Sequence, residues 1–299
     1  MTAMTHNGTA TEAAAARSGD PRKPLRLLFP QWQGSGDTLA LHQGALLLRE
    51  RFFADGACLE VPVPTGGERR LEAGIHGRSA LLEQLRTARE LLAKAAPKRI
   101  FTIGGDCAVE LAPLAYLNAR CGGDLAVLWF DAHGDLNTPE SSPSAAFHGM
   151  PLRCLLGEGD PAFTALCTPW LEPHQVALVG TRDLDPPEEA YVHAAGIQVI
   201  PPAPSGACLE SIGRFLEGTK ASSVYIHLDL DAMDPARFPH CLCPTPGGFA
   251  PEELLAILGA LFRERHVAGF SLVEFAPQEP RAAECLASFV ALGDSLRSL

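Results

Sequence analysis

Long apolar runs are missing from this 299-residue sequence: none approaches the ~18 residues that a membrane-spanning helix needs. Positive charge is also short. The 24 Lys and Arg face 35 Asp and Glu, and the formal net charge of −11 argues against nucleic acid or an anionic membrane as a partner. A paired cysteine framework is absent too. Nine cysteines, an odd number, are scattered along the chain, which suits free thiols in a reducing compartment. Cys241 and Cys243 lie close together in HCLCPTP, but a CxC without a second pair is a weak zinc signal. The opening segment MTAMTHNGTATEAAAARSGDPRKP lacks an apolar signal core, so a cytoplasmic protein is expected. Residues 1–24 are small, polar and Ala-rich, and read as a disordered tail that contributes nothing to a site.

What is present is alternation. Apolar strand patterns occur at 25–29, 98–104, 125–130, 176–180, 197–200, 224–230 and 267–275, with a weaker one at 58–63. Helix patterns lie between them at 38–52, 78–96, 186–196, 208–218 and 251–265. In 78–96, Leu81, Leu82, Leu85, Ala88, Leu91 and Leu92 form one apolar stripe. Pro186 and Pro251 stand where a first helical turn tolerates proline. Strands alternating with helices predict a three-layer α/β/α domain over 25–299, with a mostly parallel sheet of about eight strands. Ligands on such sheets bind at the carboxyl ends of the strands.

Those ends carry the unusual residues. The segment VLWFDAHGDLNTP leaves a buried-looking strand directly into Asp131, His133 and Asp135, at every second position. VYIHLDL leads into Asp229 and Asp231, and SLVEF carries Glu274. Alternate residues of an extended segment share a face, so the two clusters can converge. So many carboxylates in one place need cations; the donor set suits Mn²⁺ or a similar divalent ion, and bridging carboxylates suggest two. Turn and cap roles are the simpler alternative, particularly for Asp234 in its Asp-Pro pair.

In order and spacing, GGDC (104–107), DAHGDLNTP (131–139), HGMP (148–151), GTRDLDP (180–186), DLDAMDP (229–235) and VEF (273–275) resemble the motifs of the arginase, or ureohydrolase, family. The resemblance spans roughly residues 98 to 280. It implies a parallel α/β sheet and hydrolysis of a guanidinium or related C–N bond by hydroxide held between two Mn²⁺ ions. It implies metal ligation by Asp131, His133, Asp135, Asp229 and Asp231, with Cys107 at a further ligand position. His148 then corresponds to a proton-shuttle histidine and Glu274 to the carboxylate that holds the guanidinium; Asp135 is counted with these catalytic groups as well as with the ligands. Asn137, Ser144, Asp185 and Glu188 correspond to positions around the α-amino and α-carboxylate end of a substrate. The continuation DLNTP differs from the agmatinase branch and favours an amino-acid substrate. By the same resemblance the partner is a small molecule, and the protein is a homo-oligomer, a trimer or hexamer.

Three departures matter. Cys107 replaces the histidine of the family motif, Ala146 an asparagine, and Cys243 stands near a threonine. A thiol must lose its proton to ligate, and Mn²⁺ prefers hard donors, so this change points to a weakened, partly occupied or differently loaded metal position. His227, two residues before Asp229 on the same strand face, is either simply packed or a replacement for the missing imidazole. The leading expectation is a hydrolase of arginine or hydroxyarginine. The alternatives are a ureohydrolase acting on another amidine, such as formiminoglutamate or guanidinobutyrate, and a binding or assembly protein with weakened catalysis.

Overall fold

The computed structural model describes residues 23–36, 38–53 and 58–296. The tail expectation falls on residues 1–24, of which 1–22 lie outside the described residues. The strands are β1 (Leu25–Phe29), β2 (Leu59–Glu60), β3 (Leu71–Glu72), β4 (Ile75–His76), β5 (Ile100–Gly104), β6 (Leu125–Phe130), β7 (Val176–Val179), β8 (Gln198–Ile200), β9 (Ser223–Asp229) and β10 (Val267–Val273). The helices are α1 (Ala40–Phe52), α2 (Arg78–Ala95), α3 (Leu111–Arg120), α4 (Pro151–Leu155), α5 (Pro161–Thr164), α6 (Pro186–Ala195), α7 (Ser205–Thr219), α8 (Pro251–Glu264) and α9 (Ala287–Asp294). Among the described residues no helix is long and apolar enough to cross a membrane.

Eight strands form one sheet in the order β2-β1-β5-β10-β9-β6-β7-β8, and every pairing in it is parallel. Strands β3 and β4 make a separate antiparallel ladder. In β6, Leu125, Val127 and Trp129 join one core, while Ala126, Leu128 and Phe130 join the other. This period-2 division of an all-apolar strand is what burial on both faces demands. Helices α2 to α6 cover the first face; α1, α7, α8 and α9 cover the second.

The predicted strands and helices are all present, with small changes at their ends. The segment at 58–63 shortens to β2, an edge strand of two residues. The stripe on α2 packs as expected: Leu81, Leu82, Leu85, Ala88 and Leu92 are buried, and Leu91 is half-buried. Pro186 and Pro251 sit in the first turns of α6 and α8. Helix α3 escapes a periodicity reading because it is buried nearly all round, including Leu111, Ala112, Pro113, Leu114, Ala115 and Leu117. With no polar face, it shows no amphipathic stripe.

Chain order and spatial order differ where function needs it. Strands β9 and β10 form late in the sequence yet lie in the middle of the sheet, between β5 and β6. Because all four are parallel, their carboxyl ends open at one edge. The turn after β5 is held between its neighbours: Gly105 N donates to Phe29 O at 2.9 Å, Asp106 N to Gln31 O at 2.9 Å, and Glu274 N to Gly105 O at 2.7 Å. A Cβ on Gly105 would lie 1.7 Å from the Gln31 carbonyl oxygen, so a side chain there would force the β1 and β5 ends apart. Gly105→Ala is therefore expected to cost about 1–3 kcal/mol of stability, the usual penalty for overpacking. Urea denaturation checks this, and a midpoint equal to that of the unaltered protein contradicts it.

Candidate active site

The polar residues at this edge share one local device. Asp131 Oδ1 accepts from His133 N at 2.7 Å, Asp229 Oδ1 from Asp231 N at 2.7 Å, and Asp106 Oδ1 from Ala108 N at 3.1 Å. Each aspartate at a strand end thus turns the chain with one oxygen. The capping reading and the ligand reading are compatible, because a carboxylate has further acceptor positions. Asp234 shows the turn role alone: it accepts from Ala236 N at 2.8 Å and Gly247 N at 2.7 Å.

The two acidic clusters meet. Ligand atoms of Asp131, His133 and Asp231 lie within 4.8 Å of one another, as do those of Cys107, Asp229 and Glu274, and those of Cys107, Asp131, Asp135 and His227. His133 Nδ1 is 3.0 Å from Asp231 Oδ2 and 3.4 Å from Asp131 Oδ1. Cys107 Sγ donates to Asp229 Oδ2 at 3.1 Å. A cleft of about 140 Å³ opens on this cluster, lined by His133, Asp135, Asp229, Asp231, His148 and Glu274 at its base. Asn137, Ser144, Asp185 and Glu188 also line it, together with Ser142 and Cys243, to which the sequence reading gave no role in the site. Ala146, by contrast, is buried and does not line the cleft.

Asp131, Asp135, Asp229, Asp231 and Glu274 are all buried. At an effective dielectric of about 20, two charges this close repel by about 3–4 kcal/mol per pair. Burial and the neighbouring carboxylates accordingly push Asp135 and Asp229 well above the usual carboxylate range, and push Asp231 up to about 6. Burial and Glu274 raise Asp106 to about 7. Burial opposes charge on His133, yet Asp131 and Asp231 outweigh it and raise this imidazole to about 12. Asp135 Oδ2 and Glu274 Oε2 are buried without a hydrogen-bond partner among the described residues. Orphaned acceptors, excess acid and a hard N/O donor set fit divalent cations.

The geometry around these groups is constrained. Asp135 and Glu274 hold φ of 53° and 62°, the left-handed region that non-glycine residues seldom occupy. Glu274 Oε1 accepts from Cys107 N at 3.2 Å and lies 3.3 Å from His148 Nδ1. Burial works against a charged His148, but Glu274 and Asp106 raise its affinity for a proton. At the rim, Asn137 Nδ2 donates to Asp185 Oδ2 at 2.9 Å, and Asn137 Oδ1 accepts from Ser141 Oγ at 2.8 Å. Glu188 accepts from Leu136 N at 2.8 Å and Asp185 N at 2.9 Å, so both its oxygens first serve the loop after β6 and the start of α6. Arg182 donates to Asp231 O at 2.8 Å and Gly180 O at 2.8 Å, tying the β7 end to the Asp231 turn. Its motif was legible in sequence; its partners are backbone carbonyls, which sequence does not reveal.

These shifts set a pH dependence for protein stripped of divalent ions. Above about 3.9 an unfolded aspartate has lost its proton, and above about 6.5 so has an unfolded histidine. Folded Asp231, Asp106 and His133 keep theirs to about 6, 7 and 12. The folded state therefore binds more protons, and its stability falls as pH rises from about 5 to about 8. Asp131, held low against burial by His133 and His227, acts only in stronger acid. Thermal unfolding in chelator across this range checks the sign; a midpoint that climbs with pH contradicts it.

The Arginase family model matches residues 49–291 of this chain. The arginase of Bacillus caldovelox is 32% identical over 231 residues, covering 72% of this chain and 76% of that protein. The N(omega)-hydroxy-L-arginine amidinohydrolase of Streptomyces lavendulae is 32% identical over 241 residues, covering 80% of this chain and 83% of that protein. A match to Staphylococcus aureus arginase, 33% identical over 180 residues, takes in 58% of this chain and spans 59% of that relative's length. Among solved structures, Entamoeba histolytica arginase shares the fold with a TM-score of 0.81 at 22% identity, over 90% of this chain and 97% of that one. Bacillus caldovelox arginase gives 0.77 at 25% identity, over 93% and 99%. The family match contains every strand end that builds the acidic cleft, and the chain belongs to the arginase family.

Proposed function

We propose that this protein hydrolyses a C–N bond in the guanidino group of an amino acid, arginine or its N-hydroxylated form, with Mn²⁺ or a similar divalent ion in the acidic cluster. The observation that carries the reading is the pair Glu274 and His148 beside that cluster. Glu274 Oε2 is buried without a hydrogen-bond partner among the described residues, and Oε1 is 3.3 Å from His148 Nδ1. A carboxylate fixed in this way is an acceptor for a planar guanidinium. Asp131, His133, Asp135, Asp229 and Asp231 would hold the ions, with Cys107 as a further candidate donor. When bound, such ions make water acidic enough to serve as a nucleophile near neutral pH.

The chain's own groups supply the rest. Glu274 fixes the guanidinium carbon over the cluster, and the strained backbone at residue 274 keeps the carboxylate there. Burial disfavours a charged His148, and Glu274 facing it more than offsets this and raises its affinity for a proton. Nδ1 is turned to that carboxylate, which leaves Nε2 to deliver a proton to the departing amine. At the rim, Asp185 and Glu188 place negative charge for an α-ammonium, while Asn137 and Ser144 offer donors for an α-carboxylate. N-hydroxylation withdraws electron density from the guanidino carbon and eases attack there, while the alkylamine remains the departing group, which suits a centre weakened at the Cys107 position. The relative from Streptomyces lavendulae is named for that substrate. Retention of both His148 and Glu274 in the cleft speaks against a purely binding role. A cytoplasmic homo-oligomer, trimer or hexamer, completes the proposal.

The test is product release from arginine, hydroxyarginine and agmatine by Mn²⁺-loaded protein, followed as urea or hydroxyurea. His148→Asn is expected to lower kcat about 10²- to 10⁴-fold, the range for loss of a general acid, with metal content unchanged. Agmatine, which lacks the carboxylate, is expected to turn over poorly. Equal turnover of agmatine and arginine would remove the amino-acid head from the reading, and an undiminished His148→Asn would remove the proton donor.

A further inference from the structure

A second polar cluster lies directly beneath the cleft, in the middle of the sheet. Register aligns Thr102, Ser271, His227 and Trp129 in one row across β5, β10, β9 and β6. His227 has no exposed surface, and its ring stacks on Trp129 with centroids 3.6 Å apart. Its Nδ1 is 3.2 Å from Glu110 Oε1, and its Nε2 is 3.7 Å from Asp131 Oδ2. The second contact is too long for a hydrogen bond, and neither nitrogen has a hydrogen-bond partner among the described residues. Glu110, also without exposed surface, takes the Tyr225 hydroxyl on its other oxygen at 2.5 Å. An unpartnered buried polar atom is destabilising, so a histidine placed this way is poor packing unless something binds it.

The geometry points to His227 as a metal-ligating imidazole of this centre, oriented by Glu110 and Tyr225, in the place that Cys107 would otherwise fill. The inference rests on the metal-dependent reading above. The ligand atoms of Cys107, Asp131, Asp135 and His227 all lie within 4.8 Å of one another. Ligands at about 2.0–2.4 Å from one ion span no more than this. Asp135 Oδ2, in the same group, is buried without a hydrogen-bond partner among the described residues. Cys107 Sγ is already committed as a donor to Asp229 Oδ2 at 3.1 Å. A hard divalent ion favours imidazole over a soft thiolate. Glu110 lies on the Nδ1 side of the ring and Asp131 on the Nε2 side. A carboxylate behind a ligating histidine fixes its tautomer and ring plane, leaving the forward nitrogen's lone pair for the ion. Tyr225 holds that carboxylate in turn, so a buried row reads as a support for the metal centre.

The test measures metal rather than turnover. Full-length protein is loaded with Mn²⁺, dialysed and analysed for bound metal, beside His227→Asn, Glu110→Gln and Cys107→Ser. His227→Asn is expected to hold one equivalent fewer while keeping the ion at Asp131, His133 and Asp231. Glu110→Gln, which keeps the ligand and alters only its support, is expected to weaken the same position about 10- to 100-fold. Cys107→Ser is expected to leave metal content unchanged, and Co²⁺-loaded protein to lack a thiolate-to-cobalt charge-transfer band. Metal content and affinity unchanged in both His227→Asn and Glu110→Gln overturn the inference, as does a thiolate band that Cys107→Ser abolishes. If His227→Asn does not fold, the Glu110→Gln affinity decides alone. If the unaltered protein binds neither ion, the functional reading itself falls; binding that ignores His227 and Glu110 removes this inference only.

Discussion

Electrostatic compensation is the constraint around which the rest of the molecule is arranged. Asp131, Asp135, Asp229, Asp231 and Glu274 are buried at one edge of a parallel sheet. In the protein alone, His133 and protons retained on raised carboxyls meet part of the demand. Divalent cations would meet it more fully, because they would satisfy buried oxygens that no donor among the described residues reaches. The acids are therefore poor contributors to stability by themselves, and their placement makes sense as chemistry.

The scaffold holds such a cluster by fixing backbone first. Asp106, Asp131 and Asp229 each turn the chain with one carboxylate oxygen, so the strand ends are set before any ligand is considered. Gly105 allows the turn after β5 to approach the Gln31 carbonyl, and the Glu274 amide bonds to Gly105 O. Arg182 reaches across from β7 to the Asp231 carbonyl. Strained backbone at Asp135 and Glu274 falls at the two acids whose free oxygens face the cleft. Strain gathered at the residues that do the work is the expected signature of a preorganised site.

Much of this was legible in sequence because it follows local rules. Alternation in LAVLWF divides between two cores, and the Asp-x-His-x-Asp spacing follows directly from a strand that stops at Phe130. Other features were hidden for physical reasons. Helix α3 is buried almost all round and carries no amphipathic signal. Glu188 resembles a substrate contact, yet its oxygens accept from Leu136 N and Asp185 N, an N-terminal capping arrangement that single residues do not declare. Glu110 lies in the apolar stretch CAVELAPLAYL; its burial there is the signal that could have drawn attention to it.

By itself the sequence determined the element types, the parallel layering and the residues that end each strand, because hydrophobic period and turn chemistry act over a few neighbours. Only the tertiary structure decided which strand ends meet. Placing β9 and β10 between β5 and β6 brings Asp229 and Glu274 beside Cys107 and Asp131, although more than a hundred residues separate β9 from β5 along the chain. The same placement aligns His227 with Trp129 and lets it reach Glu110. Strand order depends on how two faces of helices pack against one sheet, a property of the whole core that no local pattern encodes.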